Sequence, residues 1–418
     1  MTPTDGAGVI GTVAAGVFTF TFPTDGITVK VDRLHNGREE LKADIRVASL
    51  RLGEAGHIHH TRLNLMTTQG KKAVAEACRK RLPEIDWDAL IEQVAVNVVE
   101  RARAGEPAVR LAEVAAKESL LFVRYPYLLA NAVTLIFGLG GALKSLFAGL
   151  LGVECAYGLS PAEPLNVLVL DWEDSEGEWA DRVRMMCAGL AIPVPSNLHY
   201  RFCTEQLADD IEAVQGLVAE HNIGLIIVDS AAYATGEPEQ SDATTRFFTA
   251  LRAVRTTTLV IAHQTNEKDT KRPFGSVYWR NGPRSVWQSK TRQEPGGESV
   301  ELGLFHRKAN RGRLIPAQGY RVTFTVQNER QYTPGDAITF TPINVKDVPE
   351  LAKDLHGPDR VLAMLAHGKA SPPEIAEELE ELPGNVRTWL TRLLERRQVV
   401  KLGKEYGLAA TPSETATV

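Results

Sequence analysis

The spacing of apolar positions changes twice along this chain, and the changes predict three parts. Residues 18–22 alternate Phe and Thr, Pro23-Thr24-Asp25-Gly26 is a turn signal, and residues 27–31 alternate again, which predicts a hairpin. Helices are predicted over 68–81 and 87–103, the second from Trp87, Leu90, Ile91, Val94 and Val98 at helical spacing. From about 116 to 345 the pattern alternates strand and helix. Strands are expected at 133–137, 165–170, 198–202, 223–228, 257–262 and 299–305, with helices between them such as 205–221, where Ile211, Val214 and Val218 share a face. That alternation suits an α/β core with a mainly parallel sheet covered on both faces.

Past 346 the elements shorten. Ser371-Pro372-Pro373-Glu374 reads as a capping box that starts a helix containing Ile375 and Leu379. After a Pro383-Gly384 turn, Val386, Trp389, Leu390, Leu393 and Leu394 recur at helical spacing, and strands near 398–402 and 405–408 flank Gly403-Lys404. Three helices and a wing describe a winged helix-turn-helix. The expected organisation is an α+β module over 1–115 whose role is open, the α/β core over 116–345, and the winged helix with a short tail over 346–418.

Composition narrows the class. The 418 residues are 44% hydrophobic, enough for two to four domains with ample cores. Cys78, Cys155, Cys187 and Cys203 have no CxxC spacing, so neither a zinc ribbon nor a disulfide framework is implied. A formal net charge of −5 means that any DNA contact must be local. Residues 125–143 are 19 consecutive uncharged residues, near the length of a membrane span. Three glycines and a Lys-Ser pair close the run, so a buried strand and turn is the reading adopted. No basic region precedes an apolar core at the N-terminus, and a soluble cytoplasmic protein is expected.

The turn that closes this run carries the chemistry. Gly138-Leu139-Gly140-Gly141-Ala142-Leu143-Lys144-Ser145 follows an apolar strand and precedes the helix start at Leu146, the order strand, glycine-rich turn, helix of a phosphate-binding loop. Its backbone N–H groups would converge on phosphate, Lys144 would reach the β- and γ-phosphates of ATP, and the Ser145 hydroxyl would ligate Mg²⁺. Leu143 stands where the usual GxxxxGK[ST] pattern has its last glycine, and a left-handed backbone there would be strained. The apolar run 223–228 ends in Asp229, which matches a strand that holds a carboxylate beside Mg²⁺. The strand before it ends in Asp171-Trp172-Glu173-Asp174. At the carboxyl edge of a parallel sheet Glu173 is placed to orient an attacking water; Asp174 is the alternative, and either could cap the following helix.

The ordered segments GLGGALKS, VLVLDWEDSEGEWADR, GLIIVDSAAYATGEPEQSDA, LVIAHQTNEK and PFGSVYWRNGPRSVW resemble the RecA-like P-loop ATPases, and most their RepA-type branch of hexameric replicative helicases. The resemblance covers more than half the chain. It implies that Glu173 is the catalytic glutamate and that His263 and Gln264 sense the γ-phosphate, although the branch usually has two histidines there. It also implies a basic residue supplied by a neighbouring subunit. Arg284, expected in the helix after Gly275-Ser276, and Lys308 with Arg311 are the candidates, and either set could be a surface cluster.

The polar loop 265–274 could line a pore and track a DNA backbone through Lys268, Lys271 and Arg272, or be plain surface. In the winged helix, Arg387, Arg392, Arg396, Arg397, Lys401 and Lys404 face a single acid, Glu395, over residues 382–404. Asn385, Arg387, Thr388 and Thr391 sit where base edges would be read, with Arg392, Lys401 and Lys404 for phosphates. Lys71, Lys72, Arg79, Lys80 and Arg81 make a second basic face, read first as solvated surface, while His57, His59 and His60 have no ligand-spaced carboxylate or cysteine.

These readings together predict a DNA-dependent ATPase acting as a helicase or translocase in replication or mobile-element DNA metabolism, and the resemblance implies that it works as a ring of identical subunits, a hexamer. Two alternatives remain at this point: an ATP-gated DNA-binding regulator or loader, and a non-hydrolysing scaffold disabled by Leu143.

Overall fold

The computed structural model describes residues 10–14, 16–36, 40–53, 56–104, 108–113, 121–159, 163–265, 271–328 and 333–409. The chain divides into two units, Met1–Ser119 with Glu212–Glu220, and Leu120–Ile211 with His221–Val418.

In the first unit, β1 (Ile10–Ala14), β2 (Val17–Phe22), β3 (Ile27–Asn36), β4 (Leu41–Ser49) and β5 (His57–Asn64) form an antiparallel sheet in chain order. The expected hairpin is β2–β3, with Phe18 paired to Val31 and Phe22 to Ile27. The sheet continues on both sides of it, because β4 repeats the alternation that puts Leu41, Ala43, Ile45 and Val47 inside. Helices α1 (Thr68–Arg79) and α2 (Trp87–Ala104) contribute Val74, Cys78, Trp87, Leu90, Ile91, Val94 and Val98 to the same core. Two members of the basic α1 face are paired with α2, Lys71 with Glu92 at 2.7 Å and Arg79 with Asp88. His57, His59 and His60 fall along β5.

The second unit begins with a short ribbon, β6 (Phe122–Arg124) and β7 (Leu128–Leu129), and then alternates strands and helices. In chain order the elements that follow are β8 (Val133–Gly138), α3 (Lys144–Tyr157), β9 (Asn166–Asp171), α4 (Glu176–Leu190), β10 (Leu198–Phe202), α5 (Ile211–Glu220, of which Glu212–Glu220 belongs to the first unit), β11 (Ile223–Asp229), α6 (Ala231–Thr235), α7 (Ser241–Val254), β12 (Thr257–His263) and α8 (Tyr278–Asn281). Three long strands and one shorter one follow: β13 (Ser285–Gln293), β14 (Ser299–Ala309), β15 (Gln318–Thr325) and β16 (Ala337–Ile343). The chain ends in α9 (Pro349–Ala352), α10 (Gly357–Leu365), α11 (Pro372–Glu378), α12 (Pro383–Glu395), β17 (Val399–Leu402) and β18 (Glu405–Leu408). Residues 125–143 are thus turn and strand, and no helix among the described residues is long and apolar enough to cross a membrane.

Nine strands make one sheet in the order β10-β9-β11-β12-β8-β13-β14-β15-β16. The first six are parallel, and β13 to β16 pair antiparallel. Both faces of the parallel part are covered, which is why the strands read as unbroken apolar runs. Ile136, Val169, Ile227 and Ile261 pack with Phe147, Leu151 and Met186 of α3 and α4. Their neighbours Leu135, Leu168, Ile226 and Val260 point to the other face and are equally buried.

Four expectations shift. The helix expected over 205–221 begins at Ile211, because the residues before it form turns and Asp210 is paired with Arg201 of β10 at 2.6 Å. The Pro383-Gly384 pair opens α12 instead of preceding it: proline suits the first helical turn, where its missing N–H has no partner to lose. Arg284 lies past α8, in the turn into β13. Strands β13, β15 and β16 are not among the expected strands, so four strands lie beyond β8 where one is expected. The capping box at Ser371 is present, with the Ser371 N–H donating to Glu374 Oε2 at 2.7 Å.

One buried histidine makes the sheet sensitive to acid. His306 on β14 is 4% exposed and stacks on Trp287 of β13 with ring centroids 4.3 Å apart and planes 7° from parallel. Its Nδ1 accepts the Ile315 N–H at 3.1 Å, and its Nε2 lies 3.1 Å from Ser285 Oγ. Burial pushes the imidazole down to about 4 from 6.5, the Lys308 backbone contact pulling the other way. The folded chain therefore binds fewer protons than the unfolded chain between those values, so this contribution is complete above pH 6.5 and is lost as pH falls toward 4. The loss amounts to about 3 kcal/mol. Denaturant titrations at pH 7 and pH 4.5 should show that His306→Gln removes most of this acid-side decline relative to the parent chain; an equal decline in both would contradict the assignment.

Candidate functional site

The register of the parallel strands brings their carboxyl ends to one level. Asp171 of β9 pairs with Asp229 of β11, and His263 of β12 pairs with Gly138 of β8. From Gly138 the chain turns through Leu139 to Leu143 into α3. Gly138 has to be glycine, since a Cβ there would lie 2.4 Å from the Ser289 carbonyl oxygen of β13. Gly141 takes φ 72°, and Leu143 takes φ 52°, ψ 25°, so the position where the pattern usually has glycine does adopt a left-handed backbone. Leu143 keeps that conformation while its side chain packs against the central hydrophobic cluster. Leu146, one turn into α3, packs there too, whereas Gly140 and Gly141 have open space around them.

Lys144 is 7% exposed and donates to the Leu139 carbonyl at 2.7 Å, across the mouth of the loop. Burial pushes its ammonium below the usual lysine range, while Asp229 and Glu173 pull it back up. Asp229 is 4% exposed and is hydrogen-bonded by Ser145; burial, with Glu173 and Asp171 close by, raises its carboxyl to about 6. A buried carboxylate facing two others is stabilised by a cation. Mg²⁺ keeps several waters and takes few protein ligands beside phosphate oxygens, so the Ser145 hydroxyl and Asp229 carboxylate fit it.

Asp171, fully buried, organises the turn that follows its strand. Its Oδ1 and Oδ2 accept the N–H groups of Glu173 and Asp174, each at 3.1 Å, and Tyr200 on β10 donates its hydroxyl to Oδ2 at 3.0 Å. The turn aims Glu173 at the loop: its carboxylate accepts from Ser230 and lies 3.9 Å from His263 Nε2. His263 first, then Ser230, holds that carboxyl below its usual value against the effect of burial. Asp174 is paired with Arg182 of α4 at 2.5 Å, so it serves helix α4. Of the two acids considered for water activation, Glu173 is the one beside Lys144 and Asp229.

Gln264 is fixed to the same loop by its N–H, which donates to the Gly138 carbonyl at 3.0 Å. Its side chain accepts from Gln288 of β13 at 2.8 Å. Three further side chains support the site. Ser230 directly follows Asp229 and was available to inspection. Ser289, whose hydroxyl donates to the Ala142 carbonyl at 2.5 Å, and Gln288 carry no sequence signal, because the polar residues of β13 interrupt its apolar pattern.

The basic candidates lie elsewhere. Arg284 donates its N–H to the Val133 carbonyl at 2.8 Å, Lys308 pairs with Val286, and Arg311 Nη1 reaches the Ala130 carbonyl at 3.5 Å. All three therefore sit at the amino end of β8, whose length separates them from the loop of the same chain by roughly 17 Å at the usual rise per residue. Lys308 is committed locally, with its Nζ on the carbonyls of Arg280, Asn281 and Pro283 at 2.7, 3.1 and 2.7 Å. Arg284 and Arg311 are exposed. Lys268 lies outside the described residues; Arg272 is exposed, and Lys271 lies near Arg307, Lys290 and Asp354.

At the far end, Val361, Leu365, Ile375, Val386, Leu390, Leu393 and Val399 form a separate small core. It leaves Asn385, Arg387, Thr388, Thr391, Arg392, Lys401 and Lys404 exposed. The hydroxyls of Thr388 and Thr391 donate back to the Gly384 and Arg387 carbonyls, at 3.0 and 2.9 Å, so only their acceptor side is open.

Residues 110–269 match the family model described as an AAA domain. The phosphate-binding loop, Glu173, Asp229 and His263 all fall within the matched residues, so the match and the site geometry point to the same nucleotide-binding domain. Among solved structures the chain is similar to a KaiC-like protein from the hyperthermophilic archaeon Pyrococcus horikoshii, at 13% identity and a TM-score of 0.37, covering 51% of this chain and 91% of that one. So loose a superposition adds nothing to the strand order. No curated protein matches the chain.

The Leu143 backbone yields a test. A non-glycine residue in the left-handed region costs about 1 kcal/mol, while alanine and glycine both lose the leucine packing. Leu143→Gly should therefore be more stable than Leu143→Ala by about that amount in thermal or denaturant melts. The reverse order would mean that the turn does not hold this conformation.

Proposed function

We propose that this protein is a DNA-dependent ATPase that works as a ring of identical subunits, as a helicase or translocase in replication or mobile-element DNA metabolism. The observation that carries the ring reading is the distance between the loop and the exposed arginines. Arg284 and Arg311 stand at the opposite edge of the sheet from Lys144, so neither can serve the site of its own chain. In a closed ring one subunit's far edge meets the next subunit's loop, and Arg311 or Arg284 would then stabilise charge on the phosphoryl group in transfer. The hexameric number comes from the family resemblance alone.

Within the site, ATP phosphates would replace the Leu139 carbonyl as the partner of Lys144, and the loop N–H groups would surround the β-phosphate. Mg²⁺ held by Ser145, with Asp229 beside it, would neutralise charge on the phosphate oxygens. Glu173, kept anionic by His263 and Ser230, would orient the attacking water. Gln264 would report the γ-phosphate to the adjoining loop, where Lys271 and Arg272 are candidates for contact with single-stranded DNA.

The C-terminal helices and hairpin support a winged helix-turn-helix reading. The cationic face over α12 and the β17–β18 hairpin suits duplex phosphates, with Asn385 and Arg387 at the helix start for base edges. The three-part organisation follows from these roles, with residues 1–115 as an accessory module.

Turnover assays with and without single-stranded DNA, paired with strand displacement, test the reading. DNA-stimulated hydrolysis with unwinding supports it, hydrolysis without unwinding favours the ATP-gated regulator, and no hydrolysis the scaffold. Glu173→Gln should keep nucleotide binding but slow hydrolysis by about 10²-fold or more, as loss of a positioned base does. Normal turnover in that variant would remove Glu173 from the role. Arg387→Ala should weaken duplex binding and reduce the slope of log affinity against log salt by about 1; an unchanged slope would turn the α12 face toward protein contacts.

A further inference from the structure

Gln264 belongs to a hydrogen-bonded line of side chains that runs from the phosphate-binding loop through the sheet to the start of the C-terminal helices. Gln288, fully buried on β13, donates through Nε2 to Gln264 Oε1 at 2.8 Å. Its Oε1 accepts from Arg307 Nε of β14 at 2.9 Å. Arg307 in turn donates to the Asp354 carbonyl at 3.0 Å and pairs with its carboxylate at 3.5 Å, and Lys290 holds the other carboxylate oxygen at 2.6 Å. Asp354 sits in the turn between α9 and α10.

The order of donors along this line has only one solution. A guanidinium carries donors and no acceptor, so the Gln288 oxygen must face Arg307. That leaves the Gln288 nitrogen toward Gln264, and an amide nitrogen does not accept, so Gln264 must turn its oxygen inward. Its own Nε2, with two N–H donors, is then the end left for the nucleotide side. We infer that Gln288 and Arg307 are positioning residues that set the polarity of Gln264, so that it meets a γ-phosphate as a donor and discriminates triphosphate from diphosphate. Asp354 anchors the line, which ties that discrimination to the segment leading into α10. The inference rests on the reading of Gln264 as the γ-phosphate contact.

Reversing one amide tests it. In Gln288→Glu both carboxylate oxygens accept, so Gln264 would rotate to donate inward and would present its oxygen to the phosphate. Titrating the full chain with fluorescent ADP and a fluorescent non-hydrolysable ATP analogue should show the preference for triphosphate falling about tenfold or more, the usual size for a charge-assisted hydrogen bond turned to repulsion. Gln288→Met, which leaves Gln264 free to rotate, should lose less, and it carries the test if the glutamate variant melts early. A purely structural role would weaken both nucleotides equally. Gln264→Ala separates the two levels: if it lowers the preference while both Gln288 variants leave it intact, the positioning role is overturned and the sensor stands. If Gln264→Ala leaves the preference intact, the sensor reading fails and takes the positioning role with it.

Discussion

The site depends on the parallel register of four strands. Because β9, β11, β12 and β8 pair with Asp171 opposite Asp229 and His263 opposite Gly138, their ends stop at a common level and their last side chains converge. A shift of one residue in any pair would turn the inner set of apolar residues to the opposite face, so the buried runs that hold the sheet together also fix the chemistry at its edge. Strand β12 lies between the loop strand and the Asp229 strand, which is why His263 reaches Glu173 and Gln264 reaches Gly138 at once.

Leu143 illustrates how such a frame absorbs a local departure. Its left-handed backbone costs about 1 kcal/mol, yet a leucine side chain even partly withdrawn from water returns an amount of the same order. The neighbours also constrain the turn: Ser289 holds the Ala142 carbonyl, and Gly138 lies against the Ser289 backbone. A loop braced by an adjacent strand can keep its shape with a residue that would destabilise a free turn.

Much of this was legible in the sequence where one rule sufficed. The buried parallel strands announce themselves as apolar runs bounded by turn residues, and the loop, Asp229 and Glu173 each fall at the end of such a run. Strand β13 was hidden because Ser285, Gln288 and Ser289 interrupt its apolar residues; these polar groups are buried and tolerated only because they bond to His306, Gln264 and Ala142. Those partners come from distant parts of the chain, so no local pattern encodes them. Strand β15 is different: Tyr320, Val322 and Phe324 alternate with Arg321 and Thr323, a period of two that was open to inspection. The commitment of Lys308 was illegible for the first reason, since its three carbonyl partners belong to the end of α8 and the turn that follows it.

Charge is partitioned by the same logic of partners. Among the acids before α12, Glu374 is spent on the capping box and Glu381 on Arg360 at 2.7 Å, whereas the cations of α12 and the hairpin point outward. In a chain of formal net charge −5, positive charge is thus concentrated on this small surface. The inner arginines behave oppositely: Arg307 and Arg360 are largely withdrawn from water and each is matched to a carboxylate and a carbonyl. Burial thus separates cations that brace the fold from those free to meet a ligand, a distinction that counting lysines and arginines along the chain cannot make.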